Sequence, residues 1–134
     1  MMNRPKRIVL IDDSVTTNFL NRVIIERAGM ADEVVDFVQA TDALGFLKKE
    51  LSSGQRKESL IFLDINMPEM DGWGFMEAYV ELVNEGRNDV VVMLSSSVDP
   101  TDKNKAGEYR QISDFRSKPL TQESLREIVG QYFN

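Results

Sequence analysis

Three short apolar runs stand out along the chain: Ile8-Val9-Leu10-Ile11, Leu60-Ile61-Phe62-Leu63 and Val90-Val91-Val92-Met93-Leu94. Each is continuous rather than alternating, the pattern of a strand covered on both faces. Glu33 to Val38 and Asp114 to Ser117 are weaker strand candidates. Between the runs, apolar positions recur at helical spacing. Val15, Phe19, Val23 and Ile24 lie on one stripe of a first helix, which Ala28-Gly29 should close. Ala43, Leu44, Leu47 and Leu51 mark a second helix within Thr41 to Leu51, and Phe75, Met76, Tyr79, Val80 and Val83 a third. Asp99-Pro100 reads as N-cap and N1 of a fourth, although Thr101 to Arg110 is mostly polar. Thr121 can cap a fifth, with Leu125, Ile128, Val129 and Tyr132 inward. Ser52 to Ser59 reads as an exposed loop. Strict alternation of strand and helix points to an α/β domain built on a parallel sheet.

Composition narrows the chemistry. The 134 residues suit one domain, read as spanning 1–134 with a short basic leader at 1–6 and no output domain after the last helix. There is no His and no Cys. A Ser-His-Asp triad, a thiolate nucleophile and most zinc sites are thereby excluded. Carboxylate, hydroxyl and lysine chemistry remain, with hard metals that prefer oxygen. A net charge of −6 argues against binding nucleic acid, and the basic run Arg4 to Arg7 reads as a solvated leader. No apolar run reaches membrane-spanning length, no secretory segment opens the chain, and a cytoplasmic location is expected.

In open parallel sheets, ligands bind beyond the carboxyl ends of the strands. Here those ends carry Asp12-Asp13, then Asp64, then Ser95-Ser96-Ser97, then Lys118-Pro119. Three carboxylates crowded together repel one another unless a cation intervenes. Mg2+ suits them, taking hard oxygens and keeping sites for water or phosphoryl oxygens. Lys118 adds a second positive charge that can pair with Asp64 and then with a phosphoryl group. An aspartate so placed can attack phosphorus to give an acyl phosphate. Taken singly, Asp13 or Ser14 reads better as a helix cap, Ser95 as a turn hydroxyl and Lys118 as a surface lysine. Coincidence at four strand ends is much harder to accept than coincidence at one.

These residues resemble the receiver domain of two-component response regulators. Leu63-Asp64-Ile65-Asn66-Met67-Pro68-Glu69-Met70-Asp71-Gly72 is similar to the family's phosphorylation segment, supported by Ile11-Asp12-Asp13, Met93-Leu94-Ser95-Ser96 and Phe115-Arg116-Ser117-Lys118-Pro119. The resemblance implies a flavodoxin-like (βα)5 fold, a doubly wound five-stranded sheet of order 2-1-3-4-5 with helices on both faces. It implies Asp64 as phosphoacceptor, and Mg2+ on Asp12, Asp13, Asp64 and the Asn66 backbone carbonyl. Ser95 and Lys118 take the catalytic hydroxyl and amine roles, and Ser95 with Phe115 the switch. Asn66 and Ser97 tune hydrolysis, and Lys118-Pro119 matches a peptide commonly cis in the family. Expected partners are a sensor histidine kinase or histidine phosphotransfer protein and a downstream protein target, met by a monomer or weak dimer through apolar residues around the fourth helix and fifth strand. The expected activity is self-phosphorylation and slow self-dephosphorylation, not turnover of a separate substrate. The rivals are a Mg2+-dependent aspartyl-phosphate hydrolase and a non-phosphorylated binding module of the same fold.

Overall fold

The computed structural model describes residues 4–54, 57–96 and 99–133. Strand and helix alternate as β1 (Arg7–Ile11), α1 (Val15–Ala28), β2 (Glu33–Phe37), α2 (Ala40–Ser53), β3 (Ser59–Asp64), α3 (Gly72–Asn84), β4 (Val90–Ser95), α4 (Pro100–Ala106), β5 (Ile112–Ser117) and α5 (Gln122–Tyr132). The strands form one parallel sheet in the order β2-β1-β3-β4-β5. The three continuous apolar runs became its three central strands. The two mixed ones became its edges, where one side of the ladder is open and full burial is not required.

Successive residues of a strand feed opposite faces of the sheet. Val9, Ile11, Ile61, Leu63, Val91 and Met93 pack under α2 and α3 with Leu47, Phe75, Met76 and Tyr79. Ile8, Leu10, Leu60, Phe62, Val92 and Leu94 pack on the other face with Ile25 of α1 and Leu125, Ile128 and Val129 of α5. Helices therefore cover both faces, and the ends of all five strands are free to carry chemistry.

Several local expectations are corrected. The stripe expected for α1 is turned outward: Val15 is 72% and Phe19 62% exposed, Val23 and Ile24 are only half-buried, and the buried residues are Asn18, Asn21 and Ile25. The cap sets that rotation. Ser14 Oγ accepts from Thr17 N at 3.1 Å, while Asn18 Nδ2 donates to the carbonyls of Asp12 and Phe37 at 3.0 and 3.3 Å. These bonds hold the Asn18 face against the sheet. Helix α1 closes at Gly29, whose φ of 63° is the left-handed value that glycine adopts freely.

The expected Ser52 to Ser59 loop is shorter at both ends. Helix α2 runs through Ser53, and Ser59 is buried in β3; Gln55 and Arg56 lie outside the described residues. Asp99 and Pro100 do open α4, where the Asp99 side chain accepts from Thr101 N at 2.9 Å, but the helix stops at Ala106. The basic run is not simply solvated either. Arg4 pairs with Asp32, and Arg7 is buried within β1 on Glu50. No helix among the described residues is long and apolar enough to cross a membrane.

Candidate phosphoryl and metal site

The first acidic turn is held by backbone. Asp12 N donates to Phe37 O at 3.1 Å, carrying the β1–β2 ladder one residue past the strand. Asp12 Oδ1 accepts from Ser14 N at 2.9 Å. The Asp12 side chain is therefore fixed inward and buried, while Asp13 is exposed at the rim. Asp64 ends β3, beside β1 on one side and opposite Leu94 of β4 on the other. The turn after it doubles back tightly, with Gly72 N on Ile65 O at 2.8 Å and Asp71 capping α3 through Gly74 N. A Cβ on Gly72 would come within 2.7 Å of Asp64 O and 2.9 Å of Ile65 Cα, both backbone, so this approach requires glycine.

Lys118 enters from the far edge strand. Its N–H donates to Ser95 O at 2.8 Å, extending the β4–β5 ladder beyond the Ser95–Ser117 pair, and the peptide to Pro119 is cis. Its Nζ then lies 2.6 Å from Asp12 Oδ2 and 3.2 Å from Asp64 Oδ1. Sequence reasoning paired Lys118 with Asp64 alone; the shorter contact is to Asp12. Carboxylate oxygens of Asp12, Asp13 and Asp64 lie within 4.8 Å of one another.

The electrostatics follow. Burial pushes the Asp64 carboxyl above its ordinary range, and the Asp12 charge adds to this; Lys118 and the Asn66 backbone N–H pull the other way without cancelling it. Burial alone would lower the Lys118 ammonium, but its hydrogen bond to Asp12 and the charges of Asp12 and Asp64 raise it, so it stays a cation.

Set on this edge, the site can hold a hard cation and an anionic group between acid and amine. A model of the response regulator receiver domain matches residues 8–130. The chain is a receiver domain. It is similar to a two-component response regulator from Cytophaga hutchinsonii, 30% identical, with a TM-score of 0.80 over 94% of this chain and 97% of that one. A receiver protein from Dyadobacter fermentans is 28% identical, with a TM-score of 0.83 over 93% and 95% of the two chains. The sensor histidine kinase CheAY of Helicobacter pylori is 29% identical over 122 residues, 91% of this chain. Of the first two curated relatives it matches, the receiver domain spans 14% and 50%.

The remaining predicted residues of the receiver domain fall as follows. Ser95 is buried at the end of β4. Phe115 is half-buried on β5, paired with Met93 and packed against the α2–α3 face of the core. Asn66 is exposed two residues past Asp64, and Ser97 lies outside the described residues. Among the described residues, the large exposed apolar side chains are not around α4 and β5, as expected, but are Val15, Phe19 and Leu20 on α1 with Val38 after β2. Sequence reasoning also missed Trp73, which stacks on Tyr109 at 5.9 Å and lies 5.0 Å beneath Lys105, tying the start of α3 to α4. Its place directly after Asp71-Gly72 was the available signal.

Proposed function

We propose that this receiver domain takes a phosphoryl group on Asp64 from a histidine kinase or histidine phosphotransfer protein, with Mg2+, and signals by protein contact or onward transfer. One observation carries the reading: carboxylates from two strand ends share a 4.8 Å neighbourhood with an amine 2.6 and 3.2 Å from two of them. That donor set fits Mg2+, since it offers oxygen only. Asp12, Asp13, Asp64 and the Asn66 carbonyl are the proposed ligands. Bound there, Mg2+ supplies neutralisation for the equatorial phosphoryl oxygens.

The chain's own residues do the rest. An Asp64 oxygen attacks phosphorus in line; the new P–O bond forms as the bond to the donor imidazole breaks, and its electron pair leaves with the nitrogen. Lys118, shared between Asp12 and Asp64, is placed to follow the charge onto a phosphoryl oxygen. The Ser95 hydroxyl hydrogen-bonds another oxygen, and Phe115, only half-buried, moves into the space released. Two packings of the α4–β5–α5 face differ slightly in energy, and the phosphoryl group selects one. Asn66 and Ser97 tune the return by hydrolysis. Val15, Phe19 and Leu20 support a protein donor, because exposed apolar groups beside a polar site favour a docked surface.

The test is intact-mass measurement after incubation with Mg2+ and acetyl phosphate. One phosphoryl group per chain is expected, none in Asp64→Asn, and none without Mg2+. Steady turnover of a phosphate ester, rather than a single stoichiometric labelling, would instead establish a hydrolase.

A further inference from the structure

Asn18 and Asn21 are the buried polar residues of α1, at 3% and 6% exposure, and the phosphoryl chemistry above gives neither a role. The Asn18 amide is only half satisfied. Its Nδ2 donates to Asp12 O and Phe37 O at 3.0 and 3.3 Å. Turning the amide over would set its oxygen against two carbonyl oxygens, so these partners fix its orientation. Oδ1 is then buried with no hydrogen-bond donor among the described residues. Native proteins rarely leave such an acceptor unmatched.

A small cavity adjoins it, lined by Asn18, Asn21, Asp12 and Asp64 with Leu10 and Phe62 among the apolar walls. The space open to a water's centre is about 10 Å³, close to the least that one water needs. Asn21 also lines the open groove between α1 and Lys118-Pro119-Leu120. A polar wall, an unmatched acceptor and room for one molecule are what a buried hydration site requires.

We infer that this cavity holds a single ordered water that donates one hydrogen to Asn18 Oδ1 and offers the other to the acidic pair Asp12 and Asp64 from beneath. Asn18 is thus a positioning residue. Its Nδ2 ties the backbone of Asp12 to the end of β2, and its Oδ1, through the water, steadies the two carboxylates from the side away from the phosphoryl donor. Asn21 lines the same cavity. The consequence for catalysis rests on the phosphoacceptor reading; the hydration site itself does not.

A high-resolution crystal structure tests the site directly. Density for one water within hydrogen-bond reach of Asn18 Oδ1 is expected; a dry cavity, or a protein donor on Oδ1, overturns the proposal. Asn18→Leu and Asn21→Leu, which keep the branching and the number of heavy atoms but remove the polar groups, test the positioning role. In variants whose melts show a folded protein, calorimetric Mg2+ affinity and phosphoryl uptake should each fall about tenfold, the scale of losing a ligand's supporting contact. A folded Asn18→Leu with both unchanged refutes the role. Should Asn18→Leu fail to fold, Asn21→Leu decides, since Asn21 bonds neither Asp12 nor Phe37 among the described residues. Wild-type protein that shows the water but takes up no phosphoryl group would sink the phosphoacceptor reading and leave the hydration site standing.

Discussion

The two ends of the sheet hold similar groups in opposite states of balance. At the carboxyl end, Asp12, Asp13 and Asp64 face the single ammonium of Lys118. At the amino end, Arg7 and Arg87 face Glu50 and Asp89. Arg7 clasps Glu50 at 2.5 and 2.7 Å and bonds Ser59 Oγ at 3.0 Å. Arg87 reaches Glu50 at 2.9 Å and Asp89 at 2.7 and 3.0 Å. Tyr79 OH and Ser59 N complete the Asp89 shell at 2.8 and 2.9 Å. Each of these four charges has a partner among the described residues. Burial of ions is not what marks a site, since both ends bury them. Residual charge is: among the described residues of these two clusters, the carboxyl-end one retains negative charge for a divalent cation to neutralise.

Removing an ion should therefore have opposite consequences at the two ends. Glu50→Ala leaves two buried guanidiniums short of their shared carboxylate, and should cost about 3–5 kcal/mol in urea unfolding. The acid sensitivity of the same contact has a definite sign. Burial alone would raise the Glu50 carboxyl, but the hydrogen bonds and charges of Arg7 and Arg87 hold it below the ordinary glutamate value of 4.5. The unfolded chain thus takes up the proton first. The contribution of Glu50 is complete above pH 4.5 and is lost as pH falls through the folded value. Asp64, held high, shifts stability the opposite way. Unfolding series on wild type and Glu50→Gln should converge as the buffer becomes more acidic; parallel curves would remove Glu50 from the balance.

A milder change at the same end sharpens the point. Tyr79→Phe deletes the hydroxyl that donates to Asp89 at 2.8 Å but leaves both arginines paired. The expected loss is about 1.5–3 kcal/mol, that of one hydrogen bond to a charged acceptor. A loss equal to that of Glu50→Ala would mean that the network behaves as one indivisible unit.

What was legible follows the same division. The central strands could be read because burial on both faces forces an unbroken apolar run, and a charge ending such a run, as at Asp64, is conspicuous. Each acid of the site could be found this way, one strand end at a time. The pairing of Lys118 with Asp12 spans 106 residues and depends on how strands β1 and β5 flank β3 and β4 in the sheet. Arg7 was hidden for a similar reason: its acid is 43 residues away, on α2. Helix α1 misled because its apolar side chains face solvent, while Asn18 and Asn21 turn inward to serve the site.

The smallest effect is expected at the rim of the acidic end. Asp13 is exposed, so without metal Asp13→Asn should change stability by less than about 0.5 kcal/mol, in the stabilising direction, because one of three mutually repelling charges is gone. Its mark should emerge with Mg2+. A ligand that binds only the folded state adds RT ln(1 + [L]/Kd), about 2.7 kcal/mol at a hundred times Kd. Wild type should gain that increment as Mg2+ rises, and Asp13→Asn should gain less at every concentration because its Kd is weaker. Tyr79→Phe, altered at the balanced end, should gain as much as wild type. Thermal melts across a Mg2+ series measure all three proteins together. Equal gains in wild type and Asp13→Asn would place the cation elsewhere, and with it the claim that unbalanced charge locates the site.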